Sequence, residues 1–279
     1  MAPVRIVTDS SCDLTHEEAD ALGVEIVPLS IRFGDDEYTD RTELSATAFY
    51  EKMAASPHLP ATAAPAPGAF ETVYRRLLDD GADAVVTINL SESLSATIQS
   101  ARTAAAAVEG ADIRCIDSRS ITAGLGTQVL HAARAARDGA TADEIENLVS
   151  GLVARTKVLG VLDTLDNLKK GGRIGGAQAF LGSMLSIKPA IDISTGEVQE
   201  AGKPRTRKKA LQWLADQVLA HDDVEELAVM HGEAPDIDDF LALLSPRFGP
   251  TDVRVGLIGA VIGAHGGPRV IGACFLTGS

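Results

Sequence analysis

Residues 4–13 read VRIVTDSSCD, an apolar run rich in β-branched residues that leads directly into a polar cluster. This pattern predicts a buried strand over 4–8 that ends in a polar loop. It occurs twice more: a strand over 84–89 precedes SESLSAT at 91–97, and a strand over 112–116 precedes DSRS at 117–120. Because ligands of parallel α/β sheets bind beyond the carboxyl ends of the strands, we expect the three polar clusters to converge on one edge.

Helices are predicted between these strands, and their alternation favours a mainly parallel sheet with helices on both faces. A second strand is predicted over 24–33. Ser45 is a candidate N-cap and Gly23 a candidate C-cap. The predicted helices of the first half cover 14–22, 45–55, 69–80, a stretch ending at 108, 122–137 and 142–155.

The pattern changes near residue 157. Helices are predicted over 205–219 and 235–244, and Ser194-Thr195-Gly196 is a hairpin signal. Strands are predicted over 158–162, 186–193, 198–200, 226–231, 253–258 and 272–276. The sequence therefore predicts an α/β protein of two domains. Residues 1–156 form a three-layer α/β/α domain with a mainly parallel sheet, and residues 157–279 form an α+β domain with a mostly antiparallel mixed sheet.

The segment 56–68 reads SPHLPATAAPAPG and carries four prolines among small residues. Proline cannot donate to a strand ladder, so we expect an irregular, extended loop without strand pairing. Such a segment is either a surface linker or a binding loop whose shape the prolines set in advance.

The composition argues against several classes of partner. Lys and Arg number 25 and Asp and Glu 39, so the formal net charge is −14. Binding to nucleic acid or to an anionic membrane surface depends on clustered positive charge, so neither is expected. The three cysteines are far apart and form no CxxC pair, which indicates buried thiols. Because neither a signal-peptide pattern nor a run of about 20 apolar residues is present, we expect a cytoplasmic location.

Hydroxyl side chains are abundant near the predicted helix starts, without matching acid–base partners. Together with helix N-termini and backbone amides, hydroxyls favour an anion. The motifs for a P-loop, for a dinucleotide-binding turn and for a GxSxG nucleophile do not occur. Asp9 and Asp13 are too few carboxylates to predict a metal site. The hydroxyl residues are Ser10, Ser11, Thr62, Ser91, Ser93, Ser95 and Thr97.

Two other functions stay open on the residues alone. A hydrolase or transferase would use Ser95 as nucleophile and His265 as base, which requires a hydrogen bond of about 3.2 Å or less between them. A small-anion carrier would instead have a shallow polar site without a deep apolar cavity.

Four motifs, spread over nearly the whole chain, resemble those of the DegV family, whose characterised members are fatty-acid-binding subunits of bacterial fatty acid kinase. They are VTDSSCDL at 7–14, LSESLSATIQSA at 90–101, LKKGGRI at 168–174 and IGAVIGAHGGPRVIG at 258–272. The sequence departs from the family pattern at Ala63 and Ala64, where the family has Ser and Gln, and at Ala96 and Arg269, where it has Gly.

The resemblance implies that one long-chain fatty acid lies in a tunnel between the two domains. The chain would present the carboxylate to a separate ATP-dependent kinase, as a non-catalytic monomer without a cofactor. By this resemblance Thr62 and Ser95 bind the carboxylate, with Ser91 and Thr97 nearby and His265 close to it. Arg173 would serve phosphotransfer with the kinase. The implied loops around the site contain Asp9, Ser10, Gly172 and Gly266.

Overall fold

The computed structural model describes residues 4–178 and 187–278, and the strands in this part form three sheets. The strands of the first half are β1 (Val4–Asp9), β2 (Glu25–Val27), β3 (Ser30–Phe33), β4 (Asp36–Thr39), β5 (Ala61–Ala63), β6 (Ala84–Asn89) and β7 (Asp112–Asp117). The helices of this half are α1 (His16–Leu22), α2 (Ala46–Ala55), α3 (Pro67–Asp79), α4 (Thr97–Ala107), α5 (Thr122–Arg137) and α6 (Ala142–Arg155).

The second half contributes a further set of strands and helices. Its strands are β8 (Thr156–Val161), β9 (Ala190–Asp192), β10 (Gln199–Gly202), β11 (Val224–His231), β12 (Arg254–Leu257) and β13 (Ile271–Thr277). Its helices are α7 (Asp166–Lys170), α8 (Arg207–Leu219), α9 (Ile237–Leu244) and α10 (Ala260–Gly266). Within the described residues, no helix has both the length and the apolar character needed to cross a membrane.

The first sheet is parallel, in the order β2-β1-β6-β7. Its side chains alternate between two apolar layers, as they must along a strand. Ile6 and Val86 pack with α5 and α6, whereas Val7 and Val85 pack with α3 and α4. This arrangement confirms the predicted three-layer α/β/α architecture.

The second sheet has six strands in the order β10-β9-β8-β13-β11-β12. All neighbours are antiparallel except β11 and β12, so the predicted mixed and mostly antiparallel sheet is confirmed. Helices α8 and α9 cover one face, and the other face packs on the core of the first half. The domain limit at residue 156 stays a prediction; α6 ends at Arg155 and β8 begins at Thr156.

Two local predictions are wrong, and both concern a small third sheet in the order β4-β3-β5. The strand predicted over 24–33 is interrupted at Pro28, which lacks an N–H, and its two parts belong to different sheets. The segment 56–68 was expected to be unpaired, yet Thr62 pairs with Ile31 in an antiparallel ladder. Three residues between prolines suffice for a short edge strand, the place where proline is tolerated in sheets.

The remaining local predictions differ mainly at element ends. Gly23 ends α1 in the left-handed conformation at φ 63°, and the hydroxyl of Ser45 accepts from the Ala48 amide, so both predicted caps are confirmed. Of the strand predicted over 186–193, residue 186 lies outside the described residues and β9 covers Ala190–Asp192.

Replacement of Gly126 in α5 by alanine is expected to destabilise the fold. An added Cβ would lie 2.6 Å from the backbone oxygen of Cys12, which cannot rotate away. Overpacking of this kind costs about 1–3 kcal/mol. Gly151→Ala in α6 is the matched control, because nothing lies within 4 Å of its added Cβ. Urea unfolding should show a loss for Gly126→Ala and none for Gly151→Ala; equal midpoints would contradict the packing argument.

Candidate functional site

An apolar cavity lies between the carboxyl edge of the parallel sheet and the inner face of the six-stranded sheet. A concave site with mainly apolar walls and a few polar groups is typical of small-molecule binding. The apolar wall comes from both halves of the chain and includes Leu90, Ile121, Val158, Leu162, Ile191 and Cys274. Thr62, Ser95, Arg173 and His265 also line the cavity and are only partly buried, so polar groups lie at its more exposed part.

Thr62 and His265 form one polar pair at the cavity. Strand β5 carries Thr62 and helix α10 carries His265, and the Thr62 Oγ1 and His265 Nε2 atoms are 2.9 Å apart. Burial and the nearby Arg173 guanidinium lower the pKa of His265 to about 4, so the imidazole is neutral at pH 7. Among the described residues, its other nitrogen, Nδ1, has no hydrogen-bond partner; it packs against Gly171, where an added Cβ would overlap the ring.

Ser95 and Thr97 form a second polar pair at the start of α4. Their hydroxyl oxygens are 2.9 Å apart, and the Thr97 amide donates to Ser95 Oγ over 3.3 Å. Ser95 lines the cavity, whereas Thr97 is buried behind it. Ser91 does not line the cavity; its hydroxyl donates to the Gly196 carbonyl over 2.6 Å and so connects this loop to the hairpin between β9 and β10.

Arg173 places a guanidinium beside both polar pairs. Its Nε donates to the Leu94 carbonyl over 3.1 Å and its Nη1 to the Gly171 carbonyl over 2.7 Å; within the described residues, these are its two hydrogen-bond partners. Neither contact neutralises the positive charge, which therefore attracts an anion to this part of the cavity. Of the two glycines predicted for the site loops, Gly266 lines the cavity, whereas Gly172 is exposed and adopts φ 71°.

The geometry can be set beside known proteins. The family model described as uncharacterised protein, DegV family, matches residues 3–278. This chain belongs to the DegV family. A DegV domain-containing protein of Halalkalibacterium halodurans is 36% identical over 278 residues, which is 98% of each chain. One from Streptomyces coelicolor is 37% identical over 275 residues, or 96% of each.

Solved structures of DegV proteins share the fold and bind fatty acids. A DegV family protein from Thermus thermophilus, described by its fatty acid binding, matches with a TM-score of 0.90 at 31% identity and 99% coverage of both chains. DegV from Bacillus subtilis, described as a fatty acid binding protein, matches with a TM-score of 0.87 at 28% identity over the whole of both chains. The predicted family membership is therefore confirmed.

Asp9 and Ser10, also predicted for the site, lie outside the cavity of this DegV chain. Asp9 is buried and its carboxylate accepts from the Leu90 amide over 2.9 Å, while Ser10 Oγ accepts from the Leu29 amide over 3.1 Å. Burial raises the pKa of Asp9. Because Leu29 and Leu90 both line the cavity, Asp9 and Ser10 fix the loops that carry its apolar wall.

Sequence reasoning missed the link between Asp13, Thr122 and Gly259. The Thr122 hydroxyl donates to Asp13 Oδ2 over 2.6 Å, and the Gly259 amide donates to Asp13 Oδ1 over 3.0 Å. Thr122 begins α5 and lines the cavity, and Gly259 precedes α10, which carries His265. The polar cluster after β1 contains Asp13 and was a sequence signal for a site residue there. Nothing in the sequence around Thr122 or Gly259 indicated that either residue would contact Asp13.

Asp13 is expected to make the stability of the fold depend on pH. Burial, with a contribution from the nearby Asp40, raises its pKa to about 7, although Thr122, Gly259 and Arg41 oppose the shift. The folded state then holds this proton to a higher pH than the unfolded state, whose carboxyl has a pKa of about 4. The contribution of Asp13 to the free energy of unfolding is therefore fully present below about pH 4 and is lost as the pH rises through about 7.

Asp13→Asn isolates this effect, because the amide oxygen can still accept from the Gly259 amide and the amide nitrogen can donate to the Thr122 hydroxyl, which reverses that hydrogen bond. Between about pH 5 and pH 8, the free energy of unfolding of the wild type should fall relative to that of the variant by roughly 1–3 kcal/mol. Urea titrations at the two pH values measure the difference, which includes the coupling of Asp13 to Asp40. Parallel pH profiles for the two proteins would show that Asp13 titrates normally.

Proposed function

We propose that this chain binds one long-chain fatty acid, with the acyl tail in the cavity and the carboxylate at Thr62 and Ser95. The observation that carries the proposal is the polarity of the cavity, whose deep walls are aliphatic and whose partly exposed part holds the Thr62 and Ser95 hydroxyls, an imidazole and a guanidinium. The fatty acid binding described for the DegV proteins of Thermus thermophilus and Bacillus subtilis supports it.

The tail supplies most of the affinity in this proposal. About 15 buried carbons at about 0.8 kcal/mol each amount to roughly 12 kcal/mol of gross driving force. Ordering of the flexible chain and the loss of free motion offset much of this gain. The carboxylate contributes orientation instead, because a buried anion is costly unless hydrogen-bond donors meet it.

The two polar pairs can meet that requirement, because the hydroxyls of Thr62 and Ser95 can each accept one hydrogen bond and donate another. With the neutral His265 protonated on Nε2, the imidazole donates to Thr62 Oγ1 and the Thr62 hydroxyl is free to donate to the carboxylate. Ser95 can act in the same way: when the Thr97 amide and the Thr97 hydroxyl both donate to Ser95 Oγ, the Ser95 hydroxyl is left to donate to the ligand. The donors nearest the carboxylate are then neutral, which preserves its nucleophilic character.

In the same proposal, the chain presents this carboxylate to a separate ATP-dependent kinase. A carboxylate oxygen attacks the γ-phosphorus of ATP, the bond to the ADP oxygen breaks, and an acyl phosphate forms. Arg173 would stabilise the charge that develops during transfer. The bound fatty acid is the only ligand that the chain requires, and the chain works as a monomer, without a cofactor and without catalysing a reaction itself.

The geometry favours this function over the two alternatives. A Ser95–His265 hydrolase needs a hydrogen bond between the two residues and a third residue that orients the ring. Within the described residues, Ser95 Oγ is bonded to Thr97, His265 Nε2 to Thr62, and His265 Nδ1 has no partner. A small-anion carrier would not require the long aliphatic wall behind the hydroxyls.

Organic extraction of the purified protein, followed by mass spectrometry, tests the binding directly. We expect one long-chain fatty acid per protein chain, because the hydroxyls of Thr62 and Ser95 line the same cavity as the apolar side chains. If the extract is empty, delipidated protein should still take up added fatty acid in calorimetry. An empty extract together with no uptake would exclude the proposed ligand.

Thr62→Val should reduce acyl-phosphate formation without loss of the fold. Valine has a similar shape but removes the donor to the carboxylate, and a hydrogen bond to a charged group contributes about 1.5–3 kcal/mol. With a reconstituted fatty acid kinase and ATP, we therefore expect a loss of about tenfold or more. Thr72→Val on the exposed face of α3 is the control and should retain full turnover. Undiminished phosphorylation by Thr62→Val would remove Thr62 from the proposed site.

A further inference from the structure

Helix α7 carries a buried amide next to the candidate site. Asn167 is 7% exposed, and among the described residues after Thr156 no other polar or charged residue is as deeply buried. A buried amide is costly unless its donor and acceptor groups find partners, so its presence here requires a reason. Helix α7 packs on α10, the helix that carries His265, and the contacts of Asn167 with α10 supply that reason.

The Asn167 side chain replaces a missing donor of α10. In a continuing helix the Ala264 carbonyl would accept from the amide four residues on, but that residue is Pro268, which has no N–H. Asn167 Nδ2 donates to the Ala264 carbonyl instead, over 3.1 Å. A Cβ added to Gly267 would lie 3.2 Å from Asn167 Oδ1, so the amide lies against the C-terminal end of α10. This contact holds the end of the helix from which the His265 imidazole projects.

The two ends of α10 are held by different residues. The Gly259 amide, before the helix, donates to Asp13, whereas Asn167 holds the last turn. Among the described residues, the His265 ring has one hydrogen-bond partner, Thr62 Oγ1, and its Nδ1 has none. The orientation of the ring therefore depends on where the end of α10 is held.

The backbone of the same residue supports Arg173. The Asn167 carbonyl accepts from the Gly171 amide over 2.8 Å, and the Gly171 carbonyl accepts from Arg173 Nη1 over 2.7 Å. Gly171 also packs against the imidazole, since an added Cβ would overlap His265 Nδ1 and would lie 3.0 Å from the Asn167 oxygen. Asn167 thus contacts both the helix that carries the imidazole and the turn that holds the guanidinium.

We propose that Asn167 is a positioning residue, whose side chain holds α10 so that the His265 imidazole stays in contact with Thr62. The same contact keeps the ring beside the Arg173 guanidinium. The inference rests on the proposed function, in which the imidazole donates to Thr62 and leaves the Thr62 hydroxyl for the carboxylate. Asn167 does not line the cavity, so it acts on the carboxylate end of the ligand only through the residues that it positions.

Asn167→Leu tests the proposal, because leucine has a similar shape but offers no donor to the Ala264 carbonyl. The measurement is the pKa of the His265 imidazole in delipidated protein, followed by NMR and assigned by the loss of its signal in His265→Gln. Burial and the nearby Arg173 lower this pKa to about 4 in the wild type. In Asn167→Leu the end of α10 is released and the ring gains water, so its pKa should rise by at least about 1 toward the ordinary value of about 6.5.

Binding of palmitate and of hexadecanol gives a second readout. The two ligands have the same chain length, and only palmitate carries a carboxylate. Because Asn167 does not contribute to the apolar wall, Asn167→Leu should weaken the binding of palmitate about tenfold and change that of hexadecanol little. Calorimetry on delipidated protein measures both affinities.

Gln128→Leu is the matched control, because it also removes a buried amide. Gln128 Nε2 donates to the Ser118 carbonyl and to Thr156 Oγ1, and none of these residues lines the cavity. The control should lower the stability of the fold yet leave the His265 pKa and both affinities unchanged. If Asn167→Leu does not fold, Asn167→Ala, which adds no bulk, takes its place in the same measurements.

The outcomes separate the positioning role from the proposed function. An unchanged His265 pKa in Asn167→Leu, or an equal loss of affinity for the two ligands, overturns the positioning role while fatty acid binding stands. Failure of the wild type to bind palmitate overturns the proposed function, and the titration of His265 then decides by itself whether Asn167 positions the ring.

Discussion

The cavity depends on one buried carboxylate that holds three distant segments together. Asp13, in the loop after β1, accepts from the Thr122 hydroxyl at the start of α5 and from the Gly259 amide before α10. A buried carboxylate is costly unless donors meet it, so the position of each segment is constrained by the other two. Because α5 belongs to the first half and α10 to the second, this constraint sets how the two walls of the cavity approach each other.

Close packing beneath α10 then determines where the imidazole lies. Phe49 and Tyr50 pack against Gly263, where an added Cβ would lie 2.6 Å from the Tyr50 hydroxyl and 2.9 Å from the Phe49 ring. The missing side chain lets the helix rest on the two rings, and the bare Gly171 leaves room for His265. Glycine in a helix loses more backbone entropy on folding than other residues do. Its missing side chain, however, allows α10 to approach its neighbours closely.

The electrostatics of the cavity differ from those of the chain as a whole. The net charge of −14 repels anions at long range, yet Arg173 lies at the cavity, and in the described part of the chain its hydrogen bonds go to backbone carbonyls. The same guanidinium contributes to keeping His265 neutral. Under the proposed function, a carboxylate in the cavity would meet the Arg173 guanidinium and neutral hydrogen-bond donors, an arrangement suited to holding an anion reversibly.

The sequence by itself determined the alternation of strands and helices, the mixed second sheet, the caps at Gly23 and Ser45, and the hydroxyl clusters beyond the strands. These features depend on residues close together in the chain, and their patterns are local. Only the tertiary structure decided that Thr62 lies in a paired strand beside His265 and that Asp13 meets Gly259. Each of these pairs joins residues more than 100 positions apart, and strand register and domain packing depend on the fit of whole surfaces, which a pattern of neighbouring residues does not encode.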